Sequence, residues 1–201
     1  MQRRAKSSVI DAGLDVRVFD RVRENPTARD IESGLAVARS GNEIGLIVAV
    51  GGGSTMDCAK GINFLLTNGG RIEDYHGFGK ANQEMLPSIG VPTTAGTGSE
   101  AQSYALISSQ DAHVKMACGD RKARFVSVIL DPDLIGSAPQ PGKAAAGFDA
   151  MAHAVESYVC TKRSPVSRMY AREAFGRLDR ALVPFVHGAP NADPGAVLLG
   201  A

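Results

Sequence analysis

Asp149 and His153 stand four positions apart in GFDAMAHAVE, residues 147–156. On a helix that spacing places a carboxylate and an imidazole on one face a turn apart, which suits two ligands converging on one ion. The same pair also serves as an ordinary helix-stabilising contact. A closed metal site needs about four protein ligands and a catalytic one about three. His76, His113 and His187 lie in unrelated polar contexts and form no second helical pair, so the sequence offers half of a metal site.

Two loops have the composition to hold phosphates. In AVGGGSTMD, residues 49–57, the apolar run GLIVAV (45–50) reads as a strand buried on both faces. It ends in Gly51, Gly52 and Gly53, and a helix is predicted from Ser54 to about residue 66, with Asp57 placed for a capping box. A helix N-terminus presents free N–H groups and partial positive charge, and glycine lets a phosphate approach the backbone. The loop is not G-x-G-x-x-G, so the Rossmann dinucleotide fingerprint is absent, and the same residues also make an ordinary tight turn before a capped helix. The second loop, PTTAGTGSE (92–100), follows the strand candidate SIGV (88–91). It lies where open α/β sheets bind ligands, and Thr93, Thr94 and Thr97 can donate to phosphate or ribose oxygens or simply face water.

The elements that must position these loops follow from periodicity. LDVRVFD (14–20) alternates and predicts a strand, ENPT (24–27) a turn, and residues 28–40 a helix. Further strands are predicted around 105–107 and 126–130. Beyond residue 139 the pattern is helical only, over 144–160 and 165–186. The expected fold is α/β: an open, mostly parallel, Rossmann-like sheet in a nucleotide-binding domain over residues 1–138, then the start of an all-helical, metal-binding domain over 139–201. Both ends read as cut, the first inside a helix leading to the first strand, the second inside the apolar stretch AVLLGA.

Composition narrows the partner class. The 201 residues carry 22 basic and 21 acidic side chains, a formal charge of +1 without long runs of either sign. That distribution gives no footprint for nucleic acid or an anionic membrane, and a small-molecule partner is expected. Cys58, Cys118 and Cys160 are odd in number and without C-x-x-C spacing. Neither a disulfide framework nor a cysteine zinc site is expected, and a cytoplasmic setting fits. No apolar run approaches the roughly 18 residues of a membrane span, and no secretory leader is read.

Taken together, ENPT, AVGGGSTMDCAKGI, VPTTAGTGSE, ILDPDL and AAAGFDAMAHAVESYV resemble the iron-containing (group III) alcohol dehydrogenase family, in this order and over nearly the whole chain. Members of that family interconvert alcohols and aldehydes or ketones using NAD or NADP and a divalent iron or zinc. The resemblance implies that Gly51, Gly52, Gly53 and Ser54 hold the pyrophosphate, with Asp57 beside them, and that Thr93, Thr94 and Thr97 line the cofactor. It implies that Lys115 and Leu134 touch the cofactor, that Asn25 lies on the adenosine side, and that Asp149 and His153 are the first two metal ligands. A metal of this kind acts as a Lewis acid on the substrate oxygen while the nicotinamide takes a hydride, so no side-chain nucleophile is implied. The family's two later histidine ligands would lie beyond Ala201, and the strand whose terminal aspartate discriminates NAD from NADP would precede Met1. A homo-oligomer is compatible with the resemblance. A non-catalytic nucleotide-binding fragment is an alternative. So are glycerol dehydrogenase, glycerol-phosphate dehydrogenase and dehydroquinate synthase relatives, against which TTAGTGSE argues.

Overall fold

The structure, a computed structural model, describes residues 2–109 and 114–201; His113 lies outside the described residues. In chain order the elements are α1 (Gln2–Asp11), α2 (Ala28–Ala38), β1 (Ile47–Gly51), α3 (Gly53–Asn68), β2 (Gly77–Phe78), β3 (Ser88–Pro92), β4 (Tyr104–Ser108), β5 (Lys115–Gly119), β6 (Ser127–Val128), α4 (Pro132–Ile135), α5 (Gln140–Val159), α6 (Pro165–His187) and α7 (Pro194–Gly200). Short 3₁₀ turns occupy Ile72–Tyr75 and Arg121–Ala123. Packing divides the chain into two compact units. The first comprises Met1–Val91 and Ser99–Val128, the second Pro92–Gly98 and Ile129–Ala201. The threonine loop thus packs with the helices that follow residue 128, whereas composition alone draws its boundary at 138/139.

Among the described residues of the first unit the strands form two three-stranded sheets, ordered β1-β3-β6 and β2-β5-β4. β3 pairs with β6 in parallel, β2 with β5 in parallel, and β4 with β5 antiparallel. Helix α3 supplies Cys58, Phe64 and Leu65 to a core shared with Ile31, Ile72, Ile107 and Met116, and supplies Met56 and Ala59 to a smaller cluster with Ala49 and Phe125. A helix buried this thoroughly places its polar residues under constraint, since each needs an internal partner. Asn63 meets it with its amide, donating to the Leu86 carbonyl at 2.8 Å and accepting from the Leu86 N–H at 3.0 Å.

The predicted strand over 14–20 does not form. A strand requires a ladder partner; here Arg17 donates instead to the carbonyls of Ala38 and Asn42, and Phe19 packs as a single apolar anchor on the core. The strand expected over 126–130 is confined to Ser127–Val128. β5 escaped the sequence reading because KMACG neither alternates cleanly nor forms a continuous apolar run.

The second unit is helical. α5, α6 and α7 enclose Ala150, Leu178, Leu182, Phe185, Val197 and Leu198, and Ala95 of the threonine loop and Ile135 of α4 join that core. α5 and α6 approach closely at Gly147, where a Cβ would fall 3.1 Å from Leu182 Cγ. Among the described residues no helix is long and apolar enough to cross a membrane.

Candidate functional site

In the first unit the glycine turn is formed by the exit of β1 and the entry of α3. Gly52 is the N-cap, at φ −80° and ψ −173°. Its carbonyl already accepts from Thr55 and Met56 at 3.0 and 3.2 Å. The helix therefore begins at Gly53, one residue earlier than expected, and no Ser54–Asp57 capping box forms. Gly51 is glycine for packing: a Cβ there would lie 2.7 Å from Thr55 Cβ. The Ser54 hydroxyl instead receives the backbone N–H of Asn25 at 3.1 Å. Asn25 adopts φ +54°, a left-handed conformation that asparagine tolerates better than most residues. This contact brings together two of the residues expected at the cofactor. The turn is fixed from behind, since Pro26 is fully buried and its carbonyl accepts from Ser108 of β4 at 2.8 Å.

Asp57, one turn into α3, is 6% exposed, and its Oδ1 is buried without a hydrogen-bond partner. The Ser99 hydroxyl and the Leu106 N–H each lend the carboxyl hydrogen-bond stabilisation. Burial pushes its pKa up from 3.8 to about 6, against the opposing pull of Lys60, those two hydrogen bonds and Lys115. Lys115, at the exposed start of β5, is thus within electrostatic reach of Asp57. An orphaned buried carboxylate oxygen is costly, about 1–3 kcal/mol or more, and such atoms concentrate where a ligand completes the set.

In the second unit the loop Pro92–Gly98 is pinned by its small residues. Ala95 is buried in the helical core, and Gly96 lies against α5 so closely that a Cβ would sit 2.8 Å from the Ala146 carbonyl carbon. Gly98 adopts φ +62°. Thr93 and Thr94 are half-buried and Thr97 is exposed. Leu134 is half-buried on α4, whose N-terminus the Asp131 carboxylate caps by accepting from Asp133 N–H at 3.0 Å. Backbone contact at Gly96 leads to the first stability prediction. Gly96→Ala forces the loop off α5, and a loss of about 1–3 kcal/mol, the usual range for overpacking, is expected in chemical denaturation; an unchanged midpoint would show that the loop yields freely.

Asp149 and His153 lie on α5, both about half exposed, with Oδ1 and Nε2 3.7 Å apart. The Gly96 carbonyl lies 3.2 Å from His153 Nδ1. A carbonyl only accepts, so in the neutral ring the proton resides on Nδ1 and the Nε2 lone pair is left on the side of Asp149. Two lone-pair donors then face one another at a separation too long for a hydrogen bond. This matches a cation claw whose imidazole is oriented from behind by a backbone carbonyl. Among the described residues no group of three or more His, Cys, Asp or Glu gathers around it. His187 is engaged with Gln140 at 3.1 Å.

These features agree with the comparisons to known proteins. A model of iron-containing alcohol dehydrogenase matches residues 1–132. The chain belongs to the iron-containing alcohol dehydrogenase family. It is 39% identical over 164 residues to alcohol dehydrogenase 4 of Schizosaccharomyces pombe, covering 82% of this chain and 39% of that protein. It is 36% identical over 175 residues to the NAD-dependent methanol dehydrogenase of Bacillus methanolicus, covering 87% of this chain and 46% of that enzyme. The solved alcohol dehydrogenase from Oenococcus oeni superposes with a TM-score of 0.92 at 28% identity, over 98% of this chain and 53% of that structure. The chain thus spans about half the length of the family members it matches, or somewhat less.

Sequence reasoning missed two members of the first unit's cluster. Lys60 and Ser99 surround Asp57, and the available signal was a lysine three residues after an aspartate within an apolar stretch, CAKGINFLL.

Proposed function

We propose that this chain binds NAD or NADP and serves an alcohol dehydrogenase that exchanges a hydride between an alcohol and the nicotinamide, with a divalent iron or zinc assisting. The observation that carries the reading is the orphaned Oδ1 of Asp57, buried one turn beyond a glycine turn at the start of a 16-residue helix. Such a site offers free N–H groups for phosphate and one unfilled acceptor for a ligand donor. A dinucleotide, with anionic phosphates and hydroxyl or amide donors, has both complements.

In this reading Gly51, Gly52, Gly53 and Ser54 receive the pyrophosphate, and Asn25 fixes Ser54 in place. Asp57 accepts a hydrogen bond from the cofactor, while Thr93, Thr94 and Thr97 donate to its oxygens, and Lys115 and Leu134 border it. Asp149 and the Nε2 of His153 are the chain's own contribution to the metal; the donor set of carboxylate and imidazole suits iron or zinc. The bound groups would supply hydride acceptance and Lewis acidity. The protein's part is to orient them and to hold the imidazole in one tautomer. The alcohol and its aldehyde or ketone are the small-molecule substrates.

The test is calorimetric titration of NAD⁺ into the chain and into Gly52→Val. Because Gly52 has φ and ψ that any residue adopts, the substitution should cost the fold only about 1 kcal/mol, the scale of an N-cap change. Measurable NAD⁺ binding is expected to disappear as the valine side chain excludes phosphate. Equal affinity in a folded variant would remove the phosphate role from this turn.

A further inference from the structure

Lys60 is among the most deeply buried side chains of the protein, 2% exposed, three residues after Asp57 on α3. Its Nζ donates to the carbonyls of Ser99 at 2.6 Å, Gln102 at 2.9 Å and Tyr104 at 2.9 Å. An ammonium has three N–H bonds, and three acceptors take all of them. The group is thereby held in one orientation, 5.3 Å from the centroid of the Phe125 ring. The three carbonyls belong to residues 99–104, an irregular stretch of turns that leads into β4. One side chain therefore stands in for a backbone ladder. Ser99, whose carbonyl is held most tightly, also lends hydrogen-bond stabilisation to the Asp57 carboxyl, and its hydroxyl accepts from Gln102 Nε2 at 3.4 Å.

We propose that Lys60 is a positioning residue for the nucleotide site: by holding residues 99–104 it sets the Ser99 hydroxyl toward the Asp57 carboxyl that receives the cofactor. The proposal rests on the reading of Asp57 as a cofactor acceptor. It separates Lys60 from a lysine that only stabilises a turn, because it routes the effect through one hydroxyl. The charged groups facing Lys60 are Asp57 on its own helix and Glu100 on the segment it holds, and Lys115 of β5 acts on Asp57. Burial brings the ammonium down to about 8, with Asp57 and Glu100 pulling it up. Loss of its proton removes one of the three donors, so the clamp should loosen on the alkaline side.

The experiment is NAD⁺ titration of the 201-residue chain between pH 5 and 9.5, as wild type, Lys60→Met, Ser99→Ala and the double variant. Wild-type affinity should fall above about pH 8. Lys60→Met should bind NAD⁺ at least about tenfold more weakly at pH 7 and lose the alkaline limb. Ser99→Ala keeps the ammonium and its three carbonyls, so it serves even if Lys60→Met folds poorly; it should show a similar loss and a flattened limb. The double variant should be no weaker than the worse single variant, the signature of two residues on one route. Multiplying losses, or a Lys60→Met that melts lower yet binds NAD⁺ with the wild-type affinity and pH profile, would overturn the proposal. Wild type that binds no NAD⁺ at any pH would overturn the nucleotide reading itself, and this proposal with it.

Discussion

Asp57→Asn is expected to gain stability relative to wild type as pH rises from 4 to 7, by about 2 kcal/mol over the interval, while NAD⁺ binding falls at least about tenfold. The sign follows from the direction of the shift. In the folded chain the Asp57 carboxyl titrates near 6 instead of 3.8, chiefly because it is buried. Between those values the native state holds a proton that the unfolded state has released, so wild-type stability falls as pH rises through the window. Asparagine does not titrate and escapes the loss; about two pKa units at about 1.4 kcal/mol each bound the margin, and the part lying above pH 4 is about 2 kcal/mol. Removing the carboxylate also deprives Lys60 of a counter-charge, and any further fall in its pKa widens the margin in the same direction. Chemical denaturation of both proteins at several pH values reads the effect, and a margin constant with pH would mean that Asp57 is ionised as readily as in water. A buried carboxylate retained at neutral pH against a stability penalty fits a group kept for binding rather than for folding.

What could be read from the sequence divides along the range of the interactions. The β1–turn–α3 unit was legible because a continuous apolar run followed by glycines leaves few local alternatives, and the spacing of Asp149 and His153 fixes their common face. The segment over 14–20 has equally good alternation but takes no ladder, because strand formation depends on a neighbour that the pattern does not name. Asp57 illustrates the same limit: a serine followed three positions on by an acid suggests a capping box, yet the helix starts earlier and buries the acid, whose partners Ser99 and Leu106 come from another stretch of chain. The clamp of Lys60 spans 39 to 44 residues of sequence, and the carbonyl that fixes the His153 tautomer lies 57 residues away. Local rules found the residue types; packing decided which atoms remain available for chemistry.

That last distinction gives the second large effect, at His153. With Nδ1 committed to the Gly96 carbonyl, only Nε2 can take a cation, in concert with Asp149. Zn²⁺ titrated into the ¹⁵N-labelled chain should shift the Nε2 resonance and leave Nδ1 protonated. His153→Ala should weaken Zn²⁺ binding by more than the 10–100-fold that loss of an outer-shell partner typically costs, since a ligand itself is removed. Gly96→Ala, which displaces the orienting carbonyl and leaves both ligands in place, should fall within about that 10–100-fold range. NAD⁺ binding should persist in His153→Ala, because the glycine turn and Asp57 belong to the first unit, and any partial loss reads the hold of His153 on the threonine loop through the Gly96 carbonyl. Zinc that engages Nδ1, or that binds His153→Ala as tightly as wild type, would reduce Asp149 and His153 to a helix-stabilising pair and leave the metal to other residues.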